Sequence, residues 1–233
     1  MSASRGTARS VVVWEALEPL LGQDPLDVLD IGGGTGGFAV RVASQGHRVT
    51  VIDPSPDALA ALDRRAREVG VEVASQQGDL TALDVAPGSV DLVLCHGVLE
   101  MVADPAAALR SLHEVLRPGG TLSLVVAQRN AAVVARAMAG NFADALALLD
   151  STETTGRTGR RFTVAEVSDL AAEAGFTVAS VHGNRVFTDL IPGSILDADA
   201  GSSAALADLE RAVAARPDFL PLAAQLHVLA TRD

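Results

Sequence analysis

A glycine run, Gly32-Gly33-Gly34-Thr35-Gly36-Gly37, directly follows the apolar segment Val28 to Ile31. Gly32, Gly34 and Gly37 meet a G-x-G-x-x-G spacing between a strand and a helix. Glycines at those positions let the backbone turn tightly and approach a ligand held at a helix N-terminus. Asp53 stands 19 residues after Gly34, at the end of a second strand, Arg48 to Ile52. A carboxylate there can accept both hydroxyls of a ribose. Loop and carboxylate together fit either a nicotinamide dinucleotide or S-adenosylmethionine.

Asp30 separates those two ligands. It sits in Leu29-Asp30-Ile31-Gly32, just before the loop, where it would repel a pyrophosphate. S-adenosylmethionine carries no phosphate but does carry a sulfonium and an ammonium, which a nearby carboxylate favours. Gly78-Asp79-Leu80 adds a carboxylate for an adenine amino group and a small backbone beside the ring. Asp91-Leu92-Val93-Leu94-Cys95 is a strand aimed at the same carboxyl edge, and Arg117-Pro118-Gly119-Gly120 turns into the next one.

The elements that must position these residues alternate between strands and helices, the pattern of βαβ units and a parallel sheet. Ser10 to Leu21 has helical periodicity, with Val11, Trp14, Leu17 and Leu21 on one face. A helix should follow the glycine loop to about Gln45, and another should run from Pro54 to Val69, with Pro54 in its first turn. Further strands are expected at Val71 to Ala74, Val90 to Cys95 and Thr121 to Val126, with a helix from Asp104 to Leu116. Asn130 to Leu149 reads as helical with a break at Gly140-Asn141, and Ser151 to Arg161 as a polar loop. Helices at Val164 to Ala174 and Ala204 to Ala215 flank an extended stretch, Thr177 to Phe187, and a loop, Asp189 to Ser203. A final strand covers Leu222 to Thr231. The chain reads as one α/β domain over residues 1–233, with an insertion at about 128–163 roofing the site.

Composition narrows the function classes. The single cysteine excludes an internal disulfide framework and a multi-thiolate metal site, and fits a reducing cytoplasm. No apolar run approaches the ~20 residues of a membrane span. All 18 basic residues are arginine, tyrosine is absent, and the net charge of −11 argues against a broadly basic nucleic-acid surface. Within Arg129 to Arg161, however, five arginines face three acids, so that stretch is +2 and the rest −13. A small arginine-lined mouth for one anion is compatible with that distribution.

Over residues 9 to 127 these motifs together resemble the class I S-adenosylmethionine-dependent methyltransferases. The resemblance implies a Rossmann-like, doubly wound seven-stranded sheet, mostly parallel with a terminal antiparallel hairpin, and a helical insertion after strand five. Arg9 to Leu17, His96 to Pro105, Met138 to Phe142, Arg185 to Asp189 and Leu226 to Arg232 are further similar to the tRNA 5-carboxymethoxyuridine methyltransferase (CmoM) family. That family esterifies a carboxylate on the wobble uridine. The similarity implies that Arg9 clamps the cofactor's carboxylate and that His96 lies near the cofactor. Arg185, in an otherwise apolar strand with Val186 and Phe187 whose end should reach the active-site edge, is the residue expected to meet an anionic acceptor. The cofactor set is then Arg9, Asp30, Gly32, Gly33, Gly34, Asp53, Pro54, Gly78, Asp79, Leu80 and His96, with S-adenosylhomocysteine as product. His96 and Arg185 are the catalytic candidates, no metal is called for, and the expected partner is an anionic acceptor such as a tRNA anticodon loop.

Two positions depart from the family. Ala127 and Leu190 stand where tyrosines are expected, both on the acceptor side. They keep open a small-molecule O-methyltransferase, and a cofactor-binding regulatory subunit is a third reading. A carboxylate acceptor is already ionised at neutral pH and needs no general base. For a hydroxyl or amine acceptor, His96 is the candidate base.

Overall fold

A computed structural model describes residues 3–22, 24–81, 83–151, 159–198 and 201–233. Its centre is β1 (Asp27–Ile31), which pairs in parallel with β2 (Arg48–Asp53) on one side and β4 (Val90–His96) on the other. β3 (Ala74–Gln77) extends the sheet beyond β2, and β5 (Leu116–Ala127) beyond β4. β7 (Gln225–Arg232) then inserts antiparallel between β5 and β6 (Phe176–Asn184), giving the order β3-β2-β1-β4-β5-β7-β6. The expected seven-stranded, mostly parallel sheet with its antiparallel end is therefore present.

Helices cover both faces, as continuous apolar strands require. On one face α1 (Ala3–Leu21), α2 (Ala39–Ala43) and α3 (Pro56–Val69) bury Trp14, Leu17, Val40 and Leu62 against Val28, Val51, Leu92 and Leu94. On the other, α4 (Pro105–Val115) and α7 (Val164–Glu173) pack Leu109, Leu112 and Val167 against Ile31, Val93, Leu124 and Val228. Between β5 and α7 lie α5 (Arg129–Met138) and α6 (Phe142–Leu149), while α8 (Gly193–Ala198) and α9 (Ser202–Ala214) precede β7.

Several boundaries differ from expectation for local reasons. α3 begins at Pro56, not Pro54, because the Ser55 hydroxyl caps it by accepting the Ala58 N–H. α2 shrinks to five residues, since left-handed glycines at 32, 34 and 36 hold the preceding chain in turns. β3 is Ala74–Gln77, an exposed polar edge strand without the apolar signal that pointed to Val71 to Ala74. β6 stops at Asn184, so Arg185 lies beyond the strand, in a left-handed conformation with φ 62°. α8 occupies part of the expected 189–203 loop.

β4 runs toward the carboxyl edge as expected, and Asp91, which opens it, therefore lies at the other end. It sits at the amino end of β4, opposite the glycine loop, and accepts the Asp27 N–H at 2.8 Å. Arg117 joins it at 2.5 Å and reaches Asp27 at 2.9 Å, while Arg48 meets Asp27 at 2.6 Å. Hydrogen bonds from Arg48 and Arg117 hold the Asp27 carboxyl down at about 2. This cluster ties four neighbouring strands together, β2, β1, β4 and β5, and is remote from any ligand edge.

Candidate functional site

In an open α/β sheet, ligands bind outside the carboxyl ends of the strands where the order reverses, here between β1 and β4. At the end of β1, Asp30 is buried, and a Cβ added at Gly33 would lie 2.6 Å from its Oδ2. The carboxylate thus sits directly under the loop. Burial, reinforced by the Asp53 charge, pushes its pKa up to about 7. At Gly34, in the left-handed region, an added Cβ would meet nothing nearer than 3.9 Å, so the loop presents an open backbone cradle.

Asp53 ends β2 and is buried, accepting the Gly34 N–H at 2.9 Å and the Ser55 N–H at 2.8 Å. Each carboxylate oxygen retains lone-pair capacity for another donor. Gly78 donates its N–H to the Asp53 carbonyl at 3.2 Å, which sets residues 78–80 beside that carboxylate. Asp79 is exposed and closes a local turn onto Thr81. Leu80 is fully buried, so its side chain belongs to the core and only its backbone can meet a ligand. Pro54 is exposed, with its carbonyl accepting from Gln77 at 3.3 Å. The Arg9 backbone lies in α1; its side chain is outside the described part.

His96 ends β4, half-buried on the α1–α2 face of the sheet. Its Nε2 bonds the Ser123 hydroxyl at 2.9 Å, and Phe38 packs edge-on against its ring at 4.9 Å. Phe38 in turn packs near Trp14, whose ring carries the Arg41 guanidinium 3.3 Å from its centroid. Loss of solvation lowers the His96 pKa to about 4. Cys95 is buried packing, its thiol pushed upward by burial. Glu100 lies in the short 3-10 turn Leu99–Met101 that follows β4. It is buried, its Oε1 accepts the Ala127 N–H at 2.7 Å, and burial raises its pKa.

A pocket of about 530 Å³ opens beside this cleft, within the range of small-molecule sites. Ala127 at the end of β5 and Gln225 at the start of β7 place it on the same carboxyl edge. Its wall brings together Arg136 of α5, Arg161 after the insertion and Arg185 after β6. Burial and the neighbouring Arg136 lower the Arg161 pKa, the sign of cations crowded without full compensation. Arg185 pairs with Asp189 and keeps a buried Nε that has no protein partner. Ala127 and Leu190, the two positions lacking the expected tyrosine, line the same pocket.

Sequence reasoning thus brought Asp30, the glycines, Asp53, residues 78–80 and His96 to one edge, as the structure does. It missed Phe38, Ser123, His227 and Arg136. Ser123 and His227 sit inside apolar strands, and only a polar residue at an otherwise buried position marks them. Arg157, in the expected loop from Ser151 to Arg161, lies outside the described residues. Arg160 donates its N–H to the Glu100 carbonyl at 2.8 Å. Among the described residues no group of His, Cys, Asp and Glu could hold a metal ion, and no helix is long and apolar enough to cross a membrane.

Comparison with known proteins agrees with this geometry. Residues 29–124 match the methyltransferase domain family. The chain is 33% identical to the tRNA 5-carboxymethoxyuridine methyltransferase of Escherichia coli K12, over 98% of this chain and 90% of that one. A ubiquinone biosynthesis O-methyltransferase from Xanthomonas euvesicatoria is 38% identical, over 48% of each chain. In fold, a Mesorhizobium loti S-adenosylmethionine-dependent methyltransferase superposes with TM-score 0.64 over 99% of this chain and all of that one, at 20% identity. Magnesium protoporphyrin IX methyltransferase from Synechocystis, solved with bound SAH, superposes with TM-score 0.64 over 98% and 83%, at 19% identity. The enzyme uses S-adenosylmethionine, and the chain belongs to the class I S-adenosylmethionine-dependent methyltransferases, in the family of the tRNA 5-carboxymethoxyuridine methyltransferases.

Proposed function

We propose that this methyltransferase esterifies a carboxylate held in the arginine-walled pocket, on tRNA carrying a carboxylated wobble uridine. The observation that carries the reading is the convergence of Arg136, Arg161 and Arg185 on one pocket at the carboxyl edge. Three guanidiniums from distant parts of the chain suit one planar anion, since arginine donates in a fork that matches carboxylate geometry. The tRNA part of the reading rests on the near full-length similarity to the E. coli enzyme. Residues of α5, with Asn141 and Arg161, line one side of the pocket, and in this reading the insertion they belong to roofs it.

In this reading the donor is bound by Gly32, Gly33 and Gly34 through backbone, by Asp53 at the ribose, and by Asp30 near the cationic amino-acid end. Pro54, Gly78, Asp79 and the Leu80 backbone line the adenine side, and Arg9 reaches the cofactor carboxylate. S-adenosylmethionine supplies the methyl group from its sulfonium. The chain's residues orient the acceptor in line with that carbon and exclude water. An ionised carboxylate attacks without losing a proton, so neither a metal nor a general base is called for. One buried cysteine and an anionic acceptor fit work in the cytoplasm.

Arg185 carries the sharpest local prediction. A side chain in the left-handed region costs about 1–2 kcal/mol that glycine does not. Arg185→Gly should therefore leave thermal stability unchanged or raised. The same change should lower kcat/KM for the acceptor by roughly a hundredfold, the loss of a charged bidentate contact. Binding of S-adenosylhomocysteine should stay as it was. Equal loss of acceptor turnover and cofactor affinity would contradict the assignment.

A small metabolite carboxylate is the second reading, favoured by the absence of both expected tyrosines from the pocket and by the net charge of −11. Incubation with labelled methyl donor and either tRNA from a strain lacking this protein or a metabolite extract separates the two. Label in the tRNA fraction supports the first. Label confined to small molecules supports the second. Cofactor binding with no label anywhere would point to a regulatory subunit.

A further inference from the structure

His96 is the first member of a polar row, wholly buried at its centre, that crosses the sheet on the α1–α2 face. His96 of β4, Ser123 of β5, His227 of β7 and His182 of β6 lie on neighbouring strands. Ser123 is wholly buried, and its hydroxyl stands 2.9 Å from His96 Nε2 and 2.9 Å from His227 Nε2. His227 is also wholly buried and stacks on His182, with ring centroids 5.6 Å apart. Its Nδ1 is buried with no protein partner.

Burial keeps these rings neutral. His96 titrates at about 4, and loss of solvation lowers His182 and His227 as well, the latter further through its two neighbouring rings. A neutral imidazole carries one N–H, and a hydroxyl has one proton to give. Three arrangements of those protons are then possible. In one, both rings donate to Ser123, which leaves the hydroxyl proton buried with no acceptor. In another, His96 donates to Ser123 and Ser123 to His227, which puts the His227 proton on its unpartnered Nδ1. In the third, His227 Nε2–H donates to Ser123 and Ser123 donates to His96 Nε2. Only the third leaves no buried proton stranded; what remains unpaired is one acceptor lone pair on His227. Orphaned buried donors are rarer in proteins than under-used acceptors.

We propose that Ser123 and His227 are positioning residues that hold His96 with its proton on Nδ1, so that the ring offers an N–H donor, not a basic nitrogen, to the bound anionic acceptor. This deepens the acceptor reading above and rests on it for the identity of the molecule that meets Nδ1. It is the opposite of the role His96 would take for a hydroxyl or amine acceptor, that of a base. The free nitrogen of the ring, being protonated, complements a carboxylate and cannot accept a proton from a hydroxyl. The row thereby selects for acceptors that arrive already ionised.

The tautomer can be read without any acceptor. In protein labelled with ¹⁵N-histidine, long-range ¹H–¹⁵N spectra are expected to show His96 protonated at Nδ1 and bare at Nε2, and His227 the reverse. A His96 signal protonated at Nε2 would overturn the proposal. Ser123→Ala should move His96 toward the Nε2–H form and lower kcat about tenfold, the loss of one hydrogen bond. His227→Gln, whose amide can donate where Nε2–H did, should keep the wild-type His96 signature, whereas His227→Leu should lose it. An unchanged His96 tautomer in Ser123→Ala would likewise sink the positioning role. If the labelled-tRNA assay fails while the tautomer holds, the acceptor is wrong and the proton arrangement stands. The converse result would remove the donor role and leave the acceptor untouched.

Discussion

Replacing Asp53 with alanine is expected to weaken S-adenosylhomocysteine binding by roughly a hundredfold, from the loss of two charge-assisted hydrogen bonds worth about 1.5 kcal/mol each. The carboxylate is fixed before any ligand arrives, because the N–H groups of Gly34 and Ser55 hold its two oxygens at 2.9 and 2.8 Å. Little ordering is left to accomplish on binding, so the contact contributes nearly its full strength. Alanine also releases the Gly34 N–H and loosens the loop, which adds to the loss. Asp53→Asn keeps the shape and one acceptor oxygen, and should fall between wild type and alanine. Calorimetric titration measures all three. An alanine variant with wild-type affinity would contradict the ribose assignment.

Asp30→Asn should act in opposite directions on stability and on binding. Burial, with the Asp53 charge behind it, raises the Asp30 pKa from the ordinary 3.8 to about 7. A raised carboxyl stabilises the folded chain fully below its unfolded value, and that contribution is lost as pH rises through about 7. At pH 8 the ligand-free protein therefore bears the cost of an ionised buried carboxylate. Asparagine removes it, and stability at pH 8 should rise by up to about 4 kcal/mol, because each tenfold weakening of the acid corresponds to about 1.4 kcal/mol. Near pH 4 the two proteins should differ little. Cofactor binding follows the other sign, because a sulfonium and an ammonium prefer the ionised form. Wild-type affinity for S-adenosylmethionine should rise as pH approaches about 7 and level off above it, whereas the variant should be flat and about tenfold weaker at pH 8. Thermal unfolding and titration at two pH values suffice. A variant less stable than wild type at pH 8 would remove the account of Asp30 as a strained, cofactor-matched acid.

The donor half of the site was legible because its chemistry is compressed into short motifs. The glycine run, Asp53 and residues 78–80 each follow a strand of the parallel sheet, and a parallel sheet puts all such ends on one edge. By the same rule Asp91, which opens its strand, falls at the far edge, in the Asp27–Arg117 cluster. The acceptor half was less legible because Arg136, Arg161 and Arg185 come from three separate segments that only the fold joins. Arg185 was expected in a strand beside Val186 and Phe187. Instead Val186, Phe187 and Thr188 donate their N–H groups to the buried Glu210 carboxylate of α9, which draws the chain off the sheet at Asn184. That long-range anchor has no local sequence signal. The histidine row was invisible for a similar reason, since Ser123 and His227 become neighbours only when β7 inserts antiparallel next to β5.

The chemical nature of the product tests the central claim most directly. Labelled methyl groups transferred to tRNA and then exposed to mild alkali distinguish an ester from every other methylation. A methyl ester is saponified and releases its label as volatile methanol, while a methyl group on a base nitrogen, a carbon or an ether oxygen stays with the nucleoside. The arginine-walled pocket predicts label in tRNA that alkali releases. Label that survives alkali would show that the methylated atom is not a carboxylate oxygen, and would contradict the account.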